Sequence, residues 1–258
     1  MDTGVLVAIA ALWGAAAGSL LPKAAYRFSV PAGEAWRETC PGEHPIGGWL
    51  GRARCADCPT SPGADTAVQT TRTERTKVYG PSAPALMIST ALVCAALAAA
   101  TGARPELGVW LLLAPVAVLL TVVDFRVQRL PDVLTLPLAA AALALLGVVA
   151  FVPEHAGDWP TALYAAAALG AGFFVLFLVN PGGMGFGDVK LAVGLGAVLG
   201  WYGWATVMLG TFAAFLLGAV YGGALVLVRR AGRKTTIPFG PFLLSGAFLG
   251  LLIGAFAA

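Results

Sequence analysis

Charge is what this chain has least of. Its 258 residues include 16 Lys+Arg and 13 Asp+Glu, or 11% charged, where a soluble domain carries about 25%. With 59% hydrophobic residues and a mean hydropathy of +0.83, the apolar surface exceeds what one aqueous core can hide. Lipid is therefore the expected solvent, and length priors for soluble domains do not apply. The net charge of +3 is too small to point to nucleic acid. No internal repeat stands out, which gives an inverted-repeat transporter little support. Met1 to Leu21 lacks the basic start of a secretory signal, since Asp2 stands there, and no A-x-A site follows in a suitable place. It reads as a retained first span.

What is there is a series of apolar runs. A span needs about 20 mostly apolar residues. Eight segments meet or approach this: 4–22, 84–102, 107–123, 133–152, 160–180, 188–201, 204–228 and 238–257. The sixth is short and can run into the seventh through Trp201-Tyr202-Gly203-Trp204, whose aromatics suit a membrane interface. The expected fold is an all-α polytopic membrane protein of about eight transmembrane helices, with a cytoplasmic loop domain after the first. The expected division is a first helix at 1–22, a loop at 23–83 and a membrane core at 84–258. Part of the loop, around 60–78, reads as linker.

Basic residues orient the spans. With the N-terminus outside, Lys23, Arg27, Arg37, Arg52, Arg54, Arg72, Arg75 and Lys77 fall in the first cytoplasmic stretch. Arg126 and Arg129 fall in the second, and Arg229, Arg230, Arg233 and Lys234 in the last, while only Arg104 lies outside. Lys190 sits just inside the sixth span's cytoplasmic end. The opposite orientation breaks the positive-inside rule at nearly every loop. Glu106, Glu154, His155 and Asp158 are then expected in outer loops.

Acidic residues at a membrane boundary need a reason, because a carboxylate in lipid is costly. Asp124 closes the third span, Asp132 opens the fourth, and Asp188 opens the sixth, all at the cytoplasmic face. If spans three and six pack together, Asp124 and Asp188 meet. Two facing carboxylates share a proton, because like charges at close range cannot both ionise. One then activates water, and the other donates to a scissile carbonyl. The plainer reading makes Asp132 and Asp188 helix caps. It does not fit Asp124, which ends its helix and opposes the dipole. Gly182, Gly183, Gly185 and Gly187 crowd the approach to Asp188. They suit either a close substrate backbone or close helix packing.

Gly185-Phe186-Gly187-Asp188, followed by Val189-Lys190-Leu191, is a G-x-G-D motif. Asp124 to Asp132 is a D-x7-D stretch ending in Leu130-Pro131-Asp132. Ile237-Pro238-Phe239-Gly240-Pro241 opens the last span, and Gly18-Ser19-Leu20-Leu21 closes the first. Together these resemble the type IV prepilin leader peptidases, members of the G-x-G-D intramembrane aspartyl proteases. The resemblance implies an endopeptidase that needs no cofactor for proteolysis. It would cut the short basic leader of a prepilin or pseudopilin at the cytoplasmic face of the bacterial inner membrane. The catalytic aspartates would be Asp124 and Asp188. Asp132 would be a cap or supporting group, with Gly185, Gly187 and Lys190 beside the pair.

Many members of that family also N-methylate the new N-terminus with S-adenosylmethionine, and carry two C-x-x-C pairs thought to hold zinc. This chain keeps Cys55-Ala56-Asp57-Cys58 but reduces the other pair to Cys40. Cys40, His44, Cys55 and Cys58 still offer a tetrahedral donor set suited to zinc. The alternative is a loop of free thiols, since a cytoplasmic disulfide is not expected. No Gly-rich nucleotide fingerprint is visible, so methyl transfer is left open. Cys94, in the middle of the second span, reads as a packing residue. Two other readings of the acids stand beside proteolysis: a transporter gate, which places carboxylates near mid-membrane, and a non-catalytic pilus or secretion scaffold.

Overall fold

The computed structural model describes residues 2–58, 77–228 and 238–258. Arg72, Arg75, Arg229, Arg230, Arg233, Lys234, Ile237 and the 60–76 part of the linker lie outside the described residues. The elements in chain order are α1 (Thr3–Phe28), β1 (Arg54–Cys55), β2 (Lys77–Val78), α2 (Ala83–Thr101), α3 (Glu106–Val127), α4 (Asp132–Val149), α5 (Trp159–Val179), α6 (Phe186–Gly200), α7 (Trp204–Leu227) and α8 (Gly240–Ala257). Among the described residues, seven helices are long and apolar enough to cross a membrane, so the expected all-α polytopic class is borne out. The helix left out of that set is α6, with 15 residues. It is also among the most enclosed, with Leu191, Ala192, Ala197 and Leu199 all essentially buried.

Small residues set the helix contacts. Without water between helices, association in lipid relies on close packing. A Cβ on Gly14 or Gly18 of α1 would fall 2.6 Å or 2.5 Å from the carbonyl oxygens of Thr90 and Leu86 on α2. Gly196 of α6 lies as close to Ala165 of α5, and Gly246 of α8 to Gly210 of α7. Large apolar side chains turn outward instead, among them Leu12, Ile88, Leu92, Phe212 and Val220.

The helix α1 runs on past residue 22 to Phe28, with Pro22 inside it. Proline has no N–H and disturbs the ladder around it. Gly51 of the following loop docks there: its N–H donates to the Leu20 carbonyl at 2.7 Å, and its carbonyl accepts from the Lys23 N–H at 3.0 Å. Gly51 has φ +116, which favours glycine. Lys23 Nζ donates to Gly47 O, Arg27 donates to Gly48 O, and the Arg27 guanidinium lies over Trp49. Arg129, between α3 and α4, donates to Pro31 O and covers Trp36. The loop is thus fastened to α1 and to the α3–α4 turn.

Two features at the opposite end of the bundle differ from expectation. Glu106 is not an exposed loop acid but the fully buried first residue of α3. It accepts from Tyr202 Oη at 3.2 Å and faces Arg104 Nε at 3.9 Å, so a partner two residues away compensates its burial. Trp201 is also buried, lying against His155, while Trp204 is exposed. The turn between α6 and α7 is made by Gly203 at φ +98.

Candidate active site

Asp124 and Asp188 both sit near helix ends, at the same end of the bundle. Asp124 is three residues before the last residue of α3, whose helix stops where Gln128 adopts a left-handed conformation and donates its N–H to Asp124 O. Asp188 is in the first turn of α6. They are only 4% and 6% exposed, so neither is a solvated surface acid. Their carboxylates are near enough to interact electrostatically.

Each carboxylate meets a backbone donor. Asp188 Oδ2 accepts from Gly185 N–H at 3.2 Å, reaching back to its own helix start. Asp124 Oδ2 accepts from Gly240 N–H at 3.1 Å, and Gly240 is the first residue of α8. This resolves the placement of Asp124 against its own helix dipole. The compensating N–H comes from a second helix, whose N-terminus favours negative charge. The starts of α6 and α8 therefore converge on the pair.

Leu130 holds these parts apart and in register. A Cβ on Gly187 would lie 2.9 Å from Leu130 Cβ. A Cβ on Gly240 would lie 3.3 Å from Leu130 Cδ1 and 2.7 Å from Asp124 Oδ2. Gly187 thus serves close packing, while Gly185 supplies a donor. Asp132 and Lys190 go to each other, at 2.6 Å, on the exposed edge of the site. The Lys190 ammonium also lies over the Phe186 ring. Sequence reasoning missed Gly240 and Leu130 as parts of the site. The Pro238-Phe239-Gly240-Pro241 run was the available signal for the first.

Two buried carboxylates, each held by a backbone N–H, suit proton sharing. The ionised partner can take a proton from water while the protonated one donates to a carbonyl oxygen. Their position near helix ends, away from mid-helix, disfavours an ion path through the membrane.

A second cluster lies in the loop after α1. The donor atoms of Cys40, His44, Cys55 and Cys58 all fall within 4.8 Å of one another. His44 Nδ1 is 3.6 Å from the sulfurs of Cys40, Cys55 and Cys58 alike. A tetrahedron with Zn–S of about 2.3 Å and Zn–N of about 2.0–2.1 Å has N···S edges of about 3.6 Å. The residues present therefore fit zinc. Cys40 is tied into a tight turn by hydrogen bonds between its backbone and those of Glu43 and His44. A side chain on Gly42 would strike Cys58 Sγ at 2.8 Å. Burial opposes ionisation of Cys40, but hydrogen bonds from Gly42, Cys58 and His44 outweigh it and lower its thiol to about 6. Cys58, hydrogen-bonded to Cys40 and also buried, is pushed up to about 11. Cys94 is fully buried in α2, among apolar side chains.

Residues 111–223 match the Type IV leader peptidase family, so the resemblance drawn from the motifs is borne out. Curated relatives are named prepilin leader peptidase/N-methyltransferase. That of Aeromonas salmonicida is 38% identical over 152 residues, covering 56% of this chain and 48% of the relative. That of Pseudomonas aeruginosa is 34% identical over 179 residues, covering 66% and 58%. That of Escherichia coli is 37% identical over 140 residues, covering 51% and 57%. The chain spans about half the length of the curated relatives it matches. No solved structure matches.

Proposed function

We infer that this chain, whose residues 111–223 carry the type IV leader peptidase core, is an intramembrane aspartyl endopeptidase that removes the leader of a prepilin or pseudopilin. The observation that carries the reading is the meeting of Asp124 and Asp188 at one end of the bundle, both buried and each accepting a backbone N–H. In the reaction, one carboxylate takes a proton from water as the water attacks the scissile carbonyl. The other donates a hydrogen bond to the developing oxyanion. The proton then passes to the leaving amine, and the shared-proton state returns. Gly240 and Gly185 N–H hold the carboxylates in place, and the Lys190–Asp132 pair borders the site.

The basic residues of the 23–58 loop and of the α3–α4 turn lie at the same end as the aspartates. The positive-inside rule then puts this end in the cytoplasm, the N-terminus outside and the protein in the inner membrane. The division then follows the helices: α1, which runs on to Phe28 instead of ending at residue 22, the loop that follows it, and a peptidase core from α2 onward. Cys40, His44, Cys55 and Cys58 would hold zinc, which supplies a structural cross-link for the loop. Methylation of the new N-terminus is read by incubating cleaved product with labelled S-adenosylmethionine.

The deciding experiment is cleavage of a co-expressed prepilin by wild type, Asp124→Asn, Asp188→Asn and the double variant. Each single change should abolish cleavage, and the double change should cost little more, because the pair acts as a unit. Asp132→Asn should be milder, losing only its ion pair with Lys190. Cleavage that survives Asp124→Asn but not Asp132→Asn would mean the wrong carboxylates have been paired.

A further inference from the structure

The turn between α3 and α4 runs from Gln128 to Pro131 and carries Leu130. The Leu130 side chain is wedged against two glycines, Gly187 at the start of α6 and Gly240 at the start of α8. Those two helix starts supply the N–H groups that hold the carboxylates, Gly185 to Asp188 and Gly240 to Asp124. The place of Leu130 therefore bears on both donors at once. The residue before it, Arg129, reaches the other way, into the loop after α1. Its Nη1 donates to Pro31 O at 2.8 Å and lies 3.4 Å from Val30 O. Its Cζ is 4.4 Å from the centre of the Trp36 ring. A carbonyl at the edge and a ring against the face together fix a planar cation in position and in tilt. This seat is itself tied to the end of α1. The Val30 N–H donates to Phe28 O at 2.9 Å, the Arg37 N–H donates to Arg27 O at 3.2 Å, and Phe28 meets Trp36 edge to face at 5.0 Å. Trp36 also packs, with Val122, Val127 and Leu134, on the cluster that contains Val123, the residue before Asp124.

We propose that Arg129 is a positioning residue for the aspartate pair: it clamps the α3–α4 turn to the loop after α1, so that Leu130 keeps the starts of α6 and α8 in place around Asp124 and Asp188. The proposal rests on the peptidase reading and adds a residue from the unspecified part of the D-x7-D stretch. Arg129 and Pro31 are 98 positions apart, so no local preference brings them together. Orientation in the membrane also calls for basic residues at this end, and Arg126, exposed in the last turn of α3, meets that need as well. A charge that only marked the cytoplasmic side would need neither carbonyl nor ring. Lysine would mark that side equally, but it has no flat group to lie on Trp36 while donating to Pro31 O. Without the clamp the turn can shift, and Leu130 shifts with it. A displacement of about 1 Å at the reacting groups can cost about 100-fold in rate. The loop thus acts on the pair through one side chain, although it lies outside the core that carries both aspartates.

The test uses the full chain, purified in detergent, and a purified prepilin that wild type cuts and Asp124→Asn does not. Arg129→Ala should lower kcat about 10- to 100-fold, with KM kept within about twofold, the pattern of an interaction felt only in the chemical step. Arg129→Lys should recover part of kcat through a bond to Pro31 O. Trp36→Leu should lower kcat too, and the double variant should cost little more than Arg129→Ala alone, because both changes undo one clamp. Arg126→Ala should leave kcat and KM as they are. An unchanged kcat in Arg129→Ala overturns the proposal, and so does a raised KM at constant kcat, which would make Arg129 a substrate contact. An equal loss in Arg126→Ala overturns it by assigning the effect to charge alone. Losses that multiply in the double variant overturn it by separating Trp36 from Arg129. Should Arg129→Ala fail to fold, Arg129→Lys and Trp36→Leu carry the test, and wild-type kcat in both refutes the clamp. If wild type cuts no prepilin, the peptidase reading itself fails and this proposal falls with it.

Discussion

Gly240→Ala isolates the part of the candidate active site that residue types alone do not reveal. The added Cβ would lie 2.7 Å from Asp124 Oδ2 and 3.2 Å from its Cγ. The first contact forces a shift, and Leu130 Cδ1 at 3.3 Å crowds another side. The carboxylate must swing away, which breaks its 3.1 Å bond from the Gly240 N–H. A hydrogen bond to a charged group contributes about 1.5–3 kcal/mol. If that contribution is made in the transition state and not in the ground state, its loss slows cleavage about 10- to 150-fold, at about 1.4 kcal/mol per decade. The effect should fall on kcat, since the bond orients a carboxylate that acts in the chemical step. The assay is the initial rate of leader removal from a purified prepilin, with a thermal melt to show that the variant still folds. Gly108→Ala on the same helix as Asp124 is the control, because nothing lies within 4 Å of its added Cβ. Unchanged kcat in a folded Gly240→Ala protein would refute the idea that α8 holds Asp124.

The remaining expectations are simpler. Protein purified without chelator should carry about one equivalent of zinc, and Cys58→Ser should lower it, as read by elemental analysis. Metal should be lost as pH falls, because protons compete for the thiolates and imidazole; retention unchanged at acid pH would argue against this donor set. A membrane-impermeant thiol reagent should reach Cys55 only after cells are opened and metal is removed; labelling in intact cells would invert the topology. Gly14→Leu should destabilise the α1–α2 contact by about 1–3 kcal/mol through overpacking, seen as a lower Tm in detergent. An unshifted Tm would mean that this contact does not hold the two helices together.

The membrane fold was legible because each span announces itself by composition over a window longer than any turn. The two aspartates were legible because acids are rare beside such runs and because the G-x-G-D and D-x7-D motifs name them. Gly240 was not, since its contribution is a backbone N–H, and every residue but proline has one. Only the packing of α8 against α3 turns that N–H toward Asp124. Leu130 was hidden for a related reason: one more leucine in an apolar chain carries no signal until Gly187 and Gly240 are seen to clear space around it. Glu106 was misplaced because acids between spans are normally solvated, and its partners, Arg104 and Tyr202, come from the neighbouring α2–α3 turn and from the α6–α7 turn far along the chain. His44 was picked out as a ligand by chemistry alone, and the folded loop brings it equally close to three sulfurs.

The join between Gly51 and α1 has a consequence for the order of synthesis. The chain leaves the ribosome from its N-terminus, so Leu20, Pro22 and Lys23 emerge well before Gly51. The end of the first span cannot reach its final hydrogen-bonded form until the loop has been made and has turned back upon it. A ribosome that stalls before Gly51, or a deletion that removes the loop, leaves the helix around Pro22 without that clasp at the membrane boundary. The loop is in this sense a late-arriving splint for a helix that is already in the bilayer. Its turn must be complete before the first span is finished.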